Sequence, residues 1–288
     1  MLKAIDTFPM TYSGLCHKCR AFRPQGKGFY PKSPSFASEN AHAMLQTTRA
    51  IVLHTLRYGD AALIVHVYTE AVGRAPFMVY ASHSRRSKVH RSALQPLALV
   101  EVQADFRPGA DLFRMKEVRV SHPLASLPYD PRKAAVAMYL AEFLYRALRE
   151  QAENRPLFDY LWHSVAYLDE CREGLANFHL VFLLRLSRFL GLYPNLDGYR
   201  PGAVFDLMAA SFTLLPPTQP VHCLSPADAA RLPLLMRLNF RTMRLLRMSR
   251  AERTRCLELI HTYYRLHLPD LPELRSLDVL REVFDNGQ

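Results

Sequence analysis

The sequence is poor in cysteine, and its cysteines form no pattern. Five are scattered over 288 residues, and an odd, scattered set argues against a disulfide framework. Cys16 and Cys19 have the spacing of one metal-binding pair, but no second pair accompanies them, so the signal for metal is weak. We therefore expect neither a disulfide scaffold nor a bound metal.

Long apolar runs are also missing. No stretch of about 18 apolar residues occurs, which excludes a transmembrane helix by the usual length criterion. The first residues do not show a charged segment followed by an apolar one, as a secretory signal would. We expect a cytoplasmic protein with no membrane partner.

The sequence lacks the common catalytic patterns. There is no GxxxxGK[ST] loop, no HExxH and no pair of histidines four residues apart. No local group of carboxylates has the pattern of a two-metal phosphodiester-cleaving site. We expect a protein without enzymatic activity and without a cofactor.

Positive charge is abundant and unevenly placed. The net charge is +11, and residues 44–121 hold 11 basic and 6 acidic side chains. Residues 231–255 contain eight arginines and a single acid, Glu252. Two basic patches, one in each half of the chain, favour a polyanionic partner.

The densest basic stretch is residues 82–92, which hold two histidines and no carboxylate. It interrupts a series of short apolar segments, where charge of one sign has no evident packing purpose. Contact with nucleic-acid phosphates is the favoured interpretation, and a solvated turn is the alternative. Its permanent cations are Arg85, Arg86, Lys88 and Arg91.

Five apolar segments with a period close to 2 predict five strands between residues 48 and 120. They cover residues 48–56, 61–68, 74–80, 97–106 and 112–120. Turn residues separate them at roughly 10-residue spacing, which indicates a small barrel, and the five-stranded OB-fold binds nucleic acids. Residues 44–121 are thus predicted to be an OB-fold DNA-binding domain. Residues 1–43 are rich in Pro, Gly, Ser and Lys, and are either a disordered extension or a misplaced gene start before Met44.

After a proline-rich linker the period changes to 3.6, which predicts an α-helical domain over residues 122–288. Helices are expected near 131–151, 155–171, 175–190, 226–247, 249–267 and 275–284. An irregular insert spans about 194–226 and contains a hairpin of residues 203–207 with 211–215. We expect it to be held together by packing of Val204, Phe205, Leu207, Phe212, Leu214 and Leu215. The predicted fold class is α+β, an N-terminal five-stranded OB-fold barrel followed by an α-helical domain.

Further cations are expected to line a DNA groove together with the basic stretch. They are Arg57, Arg74, Arg107 and Arg114, on predicted strands or turns. A groove that follows a single strand also needs aromatic rings for base stacking. The candidates are Tyr58, Tyr68, Phe77, Tyr80, Phe106 and Phe113, of which we expect half or more to be core residues because strand side chains alternate.

A second basic surface is predicted near the C-terminus. On one continuous helix its four arginines would share a face of about 120°, and no glutamate is interleaved with them. An ordinary solvent face is the alternative to a docking site for DNA or an acidic peptide. The predicted residues are Arg237, Arg241, Arg244 and Arg247, with Arg185 and Arg188 nearby.

The order of several segments resembles the RecO family of bacterial recombination mediators. The first hairpin (residues 50–60), the basic stretch with Leu94-Gln95-Pro96-Leu97, and the segments 189–194 and 263–277 carry the resemblance. It implies an OB-fold, a helical domain and a role in DNA repair near the nucleoid. It also implies binding of single- and double-stranded DNA, strand annealing, and RecA loading with the partner RecR on strands coated by single-stranded DNA-binding protein. The acidic, Phe-ended tail of that coating protein is an implied ligand.

The insert departs from the family pattern. Many relatives carry four cysteines there, whereas residues 194–226 contain only Cys223, beside His222. Four-coordinate zinc needs four ligands, so we predict no zinc. Two other functions remain open: an RNA-binding or structural OB-fold module and, less favoured, a nuclease.

Overall fold

The computed structural model describes residues 44–58, 62–80, 89–106, 110–214 and 222–285. In these ranges five strands come first, and helices with one small sheet follow. The predicted α+β fold class is confirmed. The first five strands are β1 (Met44–Tyr58), β2 (Ala62–Thr69), β3 (Gly73–Val79), β4 (Leu99–Phe106) and β5 (Phe113–His122).

The five strands form a closed barrel in the order β1-β2-β3-β5-β4. The long strand β1 pairs with β4 along its first half and with β2 along its second half. A short parallel contact between β3 and β5 closes the barrel. Every second side chain points inward, and the buried interior includes Val65, Val67, Phe77, Val100 and Val102. This is the OB-fold that the sequence predicted.

A β-bulge in β1 between Val52 and His54 shifts the alternation of the strand by one residue. Before the bulge, Ile51 is paired with Tyr68, and both side chains pack in the core of the helices. After the bulge, His54 faces outward opposite its partner His66. The outer face of β1 and β2 therefore begins at the junction with the helices and continues away from it.

Six helices follow in the described part of the chain. Asp130 caps the first by accepting the backbone N–H groups of Arg132 and Lys133, and Pro131 occupies the first turn. The core that the helices share contains large, buried aromatic side chains, including Tyr139, Phe143 and Tyr264. The helices are α1 (Pro131–Ala147), α2 (Arg155–Glu170), α3 (Leu175–Phe189), α4 (Pro226–Arg237), α5 (Arg250–His267) and α6 (Ser276–Asp285).

The predicted continuous helix over residues 226–247 is wrong, because α4 ends at Arg237. The side chain of Asn239 accepts the backbone N–H groups of Arg241 and Thr242, at 2.9 Å each, and so offers the chain a turn in place of a further helical turn. The turn buries Phe240, whose ring centroid lies 4.8 Å from that of Phe178. Burial of this ring accounts for the break in the helix.

The insert contains the predicted hairpin, β6 (Val204–Asp206) paired with β7 (Ser211–Thr213), and a third strand, β8 (Cys223–Leu224). Phe205 and Leu207 are buried as expected. Leu214 is 59% exposed, contrary to the prediction, because it follows the last paired residue of β7. Leu215 lies outside the described residues. The sheet packs mainly on α4 and α5, through Leu224, Leu232, Met236 and Tyr263.

Candidate nucleic-acid interface

The outer face of the barrel carries an apolar row that ends in a cation. Leu56, Ile64 and Met78 are cross-strand neighbours on β1, β2 and β3. They face outward because the intervening Val65 and Phe77 fill the barrel interior. Arg114 of β5 is the partner of Met78 and is exposed at the end of this row. The row lies beyond the junction with the helices, on the part of the barrel that is open to solvent.

Two exposed tyrosines stand next to this row. Tyr58 is 56% exposed and is paired with Ala62, and the register of β2 with β3 places Tyr80, 58% exposed, on the other side of Ala62. Two strand spacings separate them, or about 10 Å. The hydroxyl of Tyr80 contacts the Sδ atom of Met78 at 3.5 Å. We call this surface the barrel face, defined by Leu56, Tyr58, Ile64, Met78, Tyr80 and Arg114.

The other aromatic candidates are core residues. Tyr68 is buried against the helices, and Phe77 and Phe106 are buried inside the barrel. Phe113 is half-buried, with its ring centroid 5.1 Å from that of Phe106. The expectation that half or more would be core is confirmed, and Tyr58 and Tyr80 are the two candidates with exposed rings.

Three of the predicted DNA-binding cations lie on barrel strands or on the turn between β3 and β4. Arg57 is exposed at the end of β1, but it pairs with the interior residue Leu63 and so points away from the face that carries Tyr58. Arg114 belongs to the barrel face. Arg91 starts a short 3-10 turn of residues 91–94 and is half-buried. The remaining members of the basic stretch and one turn residue lie outside the described residues: Arg85, Arg86, Lys88 and Arg107.

Arg74 is not on the open barrel face, contrary to the prediction. Its guanidinium donates to the carbonyl of Leu148 at 3.0 Å and lies 4.6 Å from the ring centroid of Tyr145. Burial lowers its pKa from the ordinary value. The unbroken register of β2 with β3 directs Arg74 outward together with its partner Tyr68. At this level α1 and the residues that follow it cover the outer face of the strands, and this packing explains the error.

The predicted second basic surface does not form one helix face. Arg237 ends α4, whereas Arg241, Arg244 and Arg247 lie in the irregular segment after it, all four exposed. Arg244 pairs with Glu173 at 3.6 Å. The α3 residues are also engaged: Arg185 donates to the Leu238 carbonyl at 3.4 Å, and Arg188 donates to the Tyr193 hydroxyl at 2.9 Å.

An apolar cavity of about 100 Å³ lies between α3, α4, α5 and the insert. Its walls include Leu184, Phe205, Leu235, Met248 and Leu259. Two ion pairs line its mouth, Arg231 with Glu252 at 3.1 Å and Arg255 with Asp228 at 2.6 Å. Sequence reasoning missed this site, since its residues come from α3, the insert, α4 and α5, which are separate segments of the sequence. The only signal was the run of arginines over 231–255.

The described residues contain neither a metal-binding cluster nor a helix able to span a membrane. No group of three or more His, Cys, Asp or Glu side chains in these ranges is placed to hold a metal ion. No helix among them combines the length and the apolarity that crossing a membrane requires. Cys16 and Cys19 lie outside the described residues.

The closed five-stranded barrel and the helices that follow define an OB-fold protein with an appended helical region. Residues 44–124 match the family model "Recombination protein O N terminal", and residues 128–278 match "Recombination protein O C terminal". The chain therefore belongs to the RecO family, and its role is in DNA repair and recombination.

Curated relatives named "DNA repair protein RecO" cover most of the chain. The protein from Bacteroides fragilis is 57% identical over 242 residues, which are 84% of this chain and 100% of that protein. The protein from Phocaeicola vulgatus is 55% identical over 243 residues, with the same coverage. The protein from Porphyromonas gingivalis is 35% identical over 249 residues, again 84% of this chain and 100% of that one.

Proposed function

We propose that this chain binds single-stranded DNA on the barrel face and promotes pairing of complementary strands. The observation that carries the proposal is the pair of exposed rings, Tyr58 and Tyr80, on the same face as the cation Arg114. OB-folds bind oligonucleotides on the face of their second and third strands, which is where Tyr80 and Met78 lie. Exposed rings stack on bases and arginines neutralise phosphates, so the two residue types together suit a single strand.

The contribution of the Tyr58 and Tyr80 rings to DNA affinity can be tested with a matched control. The double variant Tyr58→Ala, Tyr80→Ala should bind a labelled oligo(dT) more weakly, because base–aromatic stacking is worth about 1–3 kcal/mol per base. Tyr129→Ala is the control, since Tyr129 is 83% exposed in the segment before α1. Fluorescence anisotropy at fixed salt measures both. Equal affinities for the double variant and the control would remove the barrel face from the interface.

The cations of the basic stretch are expected from the sequence to add to DNA binding. Replacing Arg85, Arg86, Lys88 and Arg91 by Ala should weaken DNA binding and flatten its dependence on salt, because each neutralised phosphate on a single strand contributes a slope of about −0.7. Double-stranded DNA should bind through the same cations without the stacking term. Binding and a salt slope that match those of the wild type would show that the stretch is a solvated turn.

The proposed promotion of annealing follows from the positive charge of the protein. Cations on one protein neutralise two complementary strands together and lower their mutual repulsion. The family resemblance adds the partners RecR, single-stranded DNA-binding protein and, indirectly, RecA, and a cytoplasmic, nucleoid-associated location. No residue here is assigned to RecR.

The apolar cavity between α3, α4 and α5 suits the acidic, Phe-ended tail of single-stranded DNA-binding protein. An aromatic ring needs an apolar pocket, and carboxylates next to it need arginines. Arg231 and Arg255 line the mouth, and they can exchange their present partners Glu252 and Asp228 for peptide carboxylates. This location replaces the predicted continuous face of Arg237, Arg241, Arg244 and Arg247.

A peptide titration tests this placement. Arg231→Gln, Arg255→Gln should bind a fluorescent acidic peptide ending in Phe more weakly than the wild type. Arg172→Gln, an exposed arginine between α2 and α3, is the control for loss of charge. A double variant that binds as well as this control would contradict the placement.

We also propose that the chain has no enzymatic activity of its own. An RNA-binding module is the first competing function, because no feature of the barrel face distinguishes a 2′-hydroxyl; competition between matched RNA and DNA decides it. A nuclease is the second. Cleavage of labelled DNA that requires Mg²⁺ and is lost on mutation of a carboxylate would establish one.

A further inference from the structure

Tyr145, near the end of α1, is surrounded by four nitrogen-bearing side chains at the barrel–helix junction. His54 stacks on its ring with centroids 4.5 Å apart, and the ring of His66 lies 4.9 Å away. The guanidinium carbons of Arg74 and Arg146 lie 4.6 Å and 5.1 Å from the centroid of the same ring. We call these five residues the junction cluster.

In the part of the chain that the structure describes, negative charge is scarce around the cluster. His54 on β1 faces His66 on β2, Arg74 on β3, and Tyr145, Arg146 and Glu142 on α1. The carboxylate of Glu142 already accepts the backbone N–H and hydroxyl of Ser276 and the backbone N–H of Arg275. Among these described residues, one engaged carboxylate therefore faces the two permanent cations Arg74 and Arg146.

The cluster has unused capacity for hydrogen bonds. Among the described residues none is within hydrogen-bond reach of the buried His66 Nδ1 atom. Arg146 is exposed, and His54 and Tyr145 are half-buried, so solvent and ligands reach one side of the cluster. A buried polar atom without a partner is uncommon and calls for an explanation.

The junction cluster continues the barrel face along the same strands. His54, Leu56 and Tyr58 alternate outward on β1, and His66 and Ile64 do so on β2. From Tyr58 to His54 the strand rises by about 13 Å. A strand of DNA stacked on Tyr58 and Tyr80 and running along β1 would therefore reach His54. The guanidinium of Arg146 lies over the same Tyr145 ring on which His54 stacks.

We propose that the junction cluster binds a backbone phosphate of the same DNA strand that lies on the barrel face, and that His54 takes up a proton as the phosphate docks. This rests on the proposed function. Arg146 and His54 contact the phosphate, and Arg74 and His66 support them from behind. The interface thus extends from the barrel onto helix α1, and DNA affinity becomes dependent on pH.

The electrostatics of the free protein support proton uptake. Burial, followed by repulsion from Arg146, lowers the pKa of His54, and burial together with Arg74 and His54 lowers the pKa of His66 to about 4. Both imidazoles are therefore neutral at neutral pH in the absence of DNA. A phosphate beside His54 favours the charged form, so binding should tighten as the pH falls.

The test is anisotropy of labelled oligo(dT) with the full chain at pH 6 and pH 8.5, each over a range of salt. Arg146→Gln should weaken binding and reduce the steepness of the salt dependence by about 0.7, whereas Arg146→Lys keeps the slope. His54→Gln should bind like the wild type at pH 8.5 and more weakly at pH 6. The controls are Arg132→Gln, at the other end of α1, and His163→Gln, exposed on α2.

The outcomes separate the two proposals. If the Arg146 and His54 variants behave like their controls while Tyr58→Ala, Tyr80→Ala weakens binding, the junction subsite is wrong and the barrel face stands. A wild-type protein that does not bind oligo(dT) overturns both. Thermal melting of each variant separates a lost contact from a lost fold.

Discussion

At the scale of single residues, Asp169 determines how the barrel is joined to the helices. Its carboxylate accepts the backbone N–H groups of Ala125, Ser126 and Leu127 at 2.9, 2.8 and 2.6 Å. The buried Lys133 donates to the Asp169 carbonyl at 2.5 Å. These bonds fix the segment between β5 and α1, and with it the position of the barrel face relative to Arg146.

Asp169→Asn should therefore destabilise the protein. The carboxamide keeps one accepting oxygen, but its NH2 group is a donor and cannot accept the N–H groups that face the other carboxylate oxygen. An unsatisfied buried polar group costs about 1–3 kcal/mol. Burial alone would raise the pKa of Asp169, but the hydrogen bonds from Leu127, Ser126 and Ala125 outweigh it and lower the pKa below its ordinary value of 3.8. The stabilisation is thus present above pH 3.8 and is lost as the pH falls through the lower folded-state pKa.

Urea unfolding of the wild type and of Asp169→Asn measures this effect. Asp197→Asn is the control, because Asp197 is exposed in the insert. If Asp169→Asn unfolds at the same urea concentration as the control, the carboxylate does not stabilise the linker.

At the scale of elements, the turn after α4 depends on Asn239. Asn239→Ala removes an acceptor for two backbone N–H groups and should lower the free energy of unfolding by about 1 kcal/mol. Asn239→Asp keeps the acceptor and should retain most of the stability. Chemical denaturation compares the two, and equal loss in both variants would show that the acceptor is not what stabilises the turn.

The described residues of the insert pack in a small apolar core that includes Phe205, Leu207 and Leu224. Residues 194–226 contain one cysteine, too few for a four-ligand zinc site. Elemental analysis of the purified chain should find well below one zinc per molecule, and a chelator should leave the melting temperature unchanged. A stoichiometric, tightly held ion would contradict this prediction.

Period and turn residues were sufficient to predict the barrel strands and most of the helices. The features that the sequence did not predict depend on long-range packing. The Asn239 turn looks helical in sequence because the burial of Phe240 against Phe178 is a long-range contact. The position of Arg74 in the junction likewise depends on long-range packing, since its contacts with Tyr145 and Leu148 lie more than 70 residues away in sequence.

The sequence predicted the type of ligand, a nucleic acid, but only some of the residues that form the candidate site. The basic stretch and the tyrosines indicated nucleic acid, but alternation could not tell Tyr58 and Tyr80 from buried rings such as Tyr68 without the register of the barrel. Arg146 carried no signal, because only the tertiary fold brings α1 against β1.

At the scale of the whole molecule, two buried histidines and the half-buried His66 make stability depend on pH. Burial is the main cause that lowers the pKa of His66 and His261 to about 4 and that of His179 to about 3, against an ordinary value of 6.5. The unfolded chain binds these protons more readily, so the stabilisation is complete above pH 6.5 and is lost as the pH falls toward the folded-state values. Melting temperatures between pH 7.5 and 4.5 should therefore decrease. His66→Gln should flatten this decrease, whereas the exposed His163→Gln should not, and an unchanged slope would contradict the assignment for His66.

Above all, we propose that the barrel face binds single DNA strands and promotes their pairing. The most direct test is annealing of complementary oligonucleotides coated with single-stranded DNA-binding protein, with wild-type chain and with Tyr58→Ala, Tyr80→Ala. We predict that the wild type accelerates annealing and that the double variant, although folded, loses most of this acceleration while Tyr129→Ala retains it. Acceleration by the double variant equal to that of the wild type would contradict the claim.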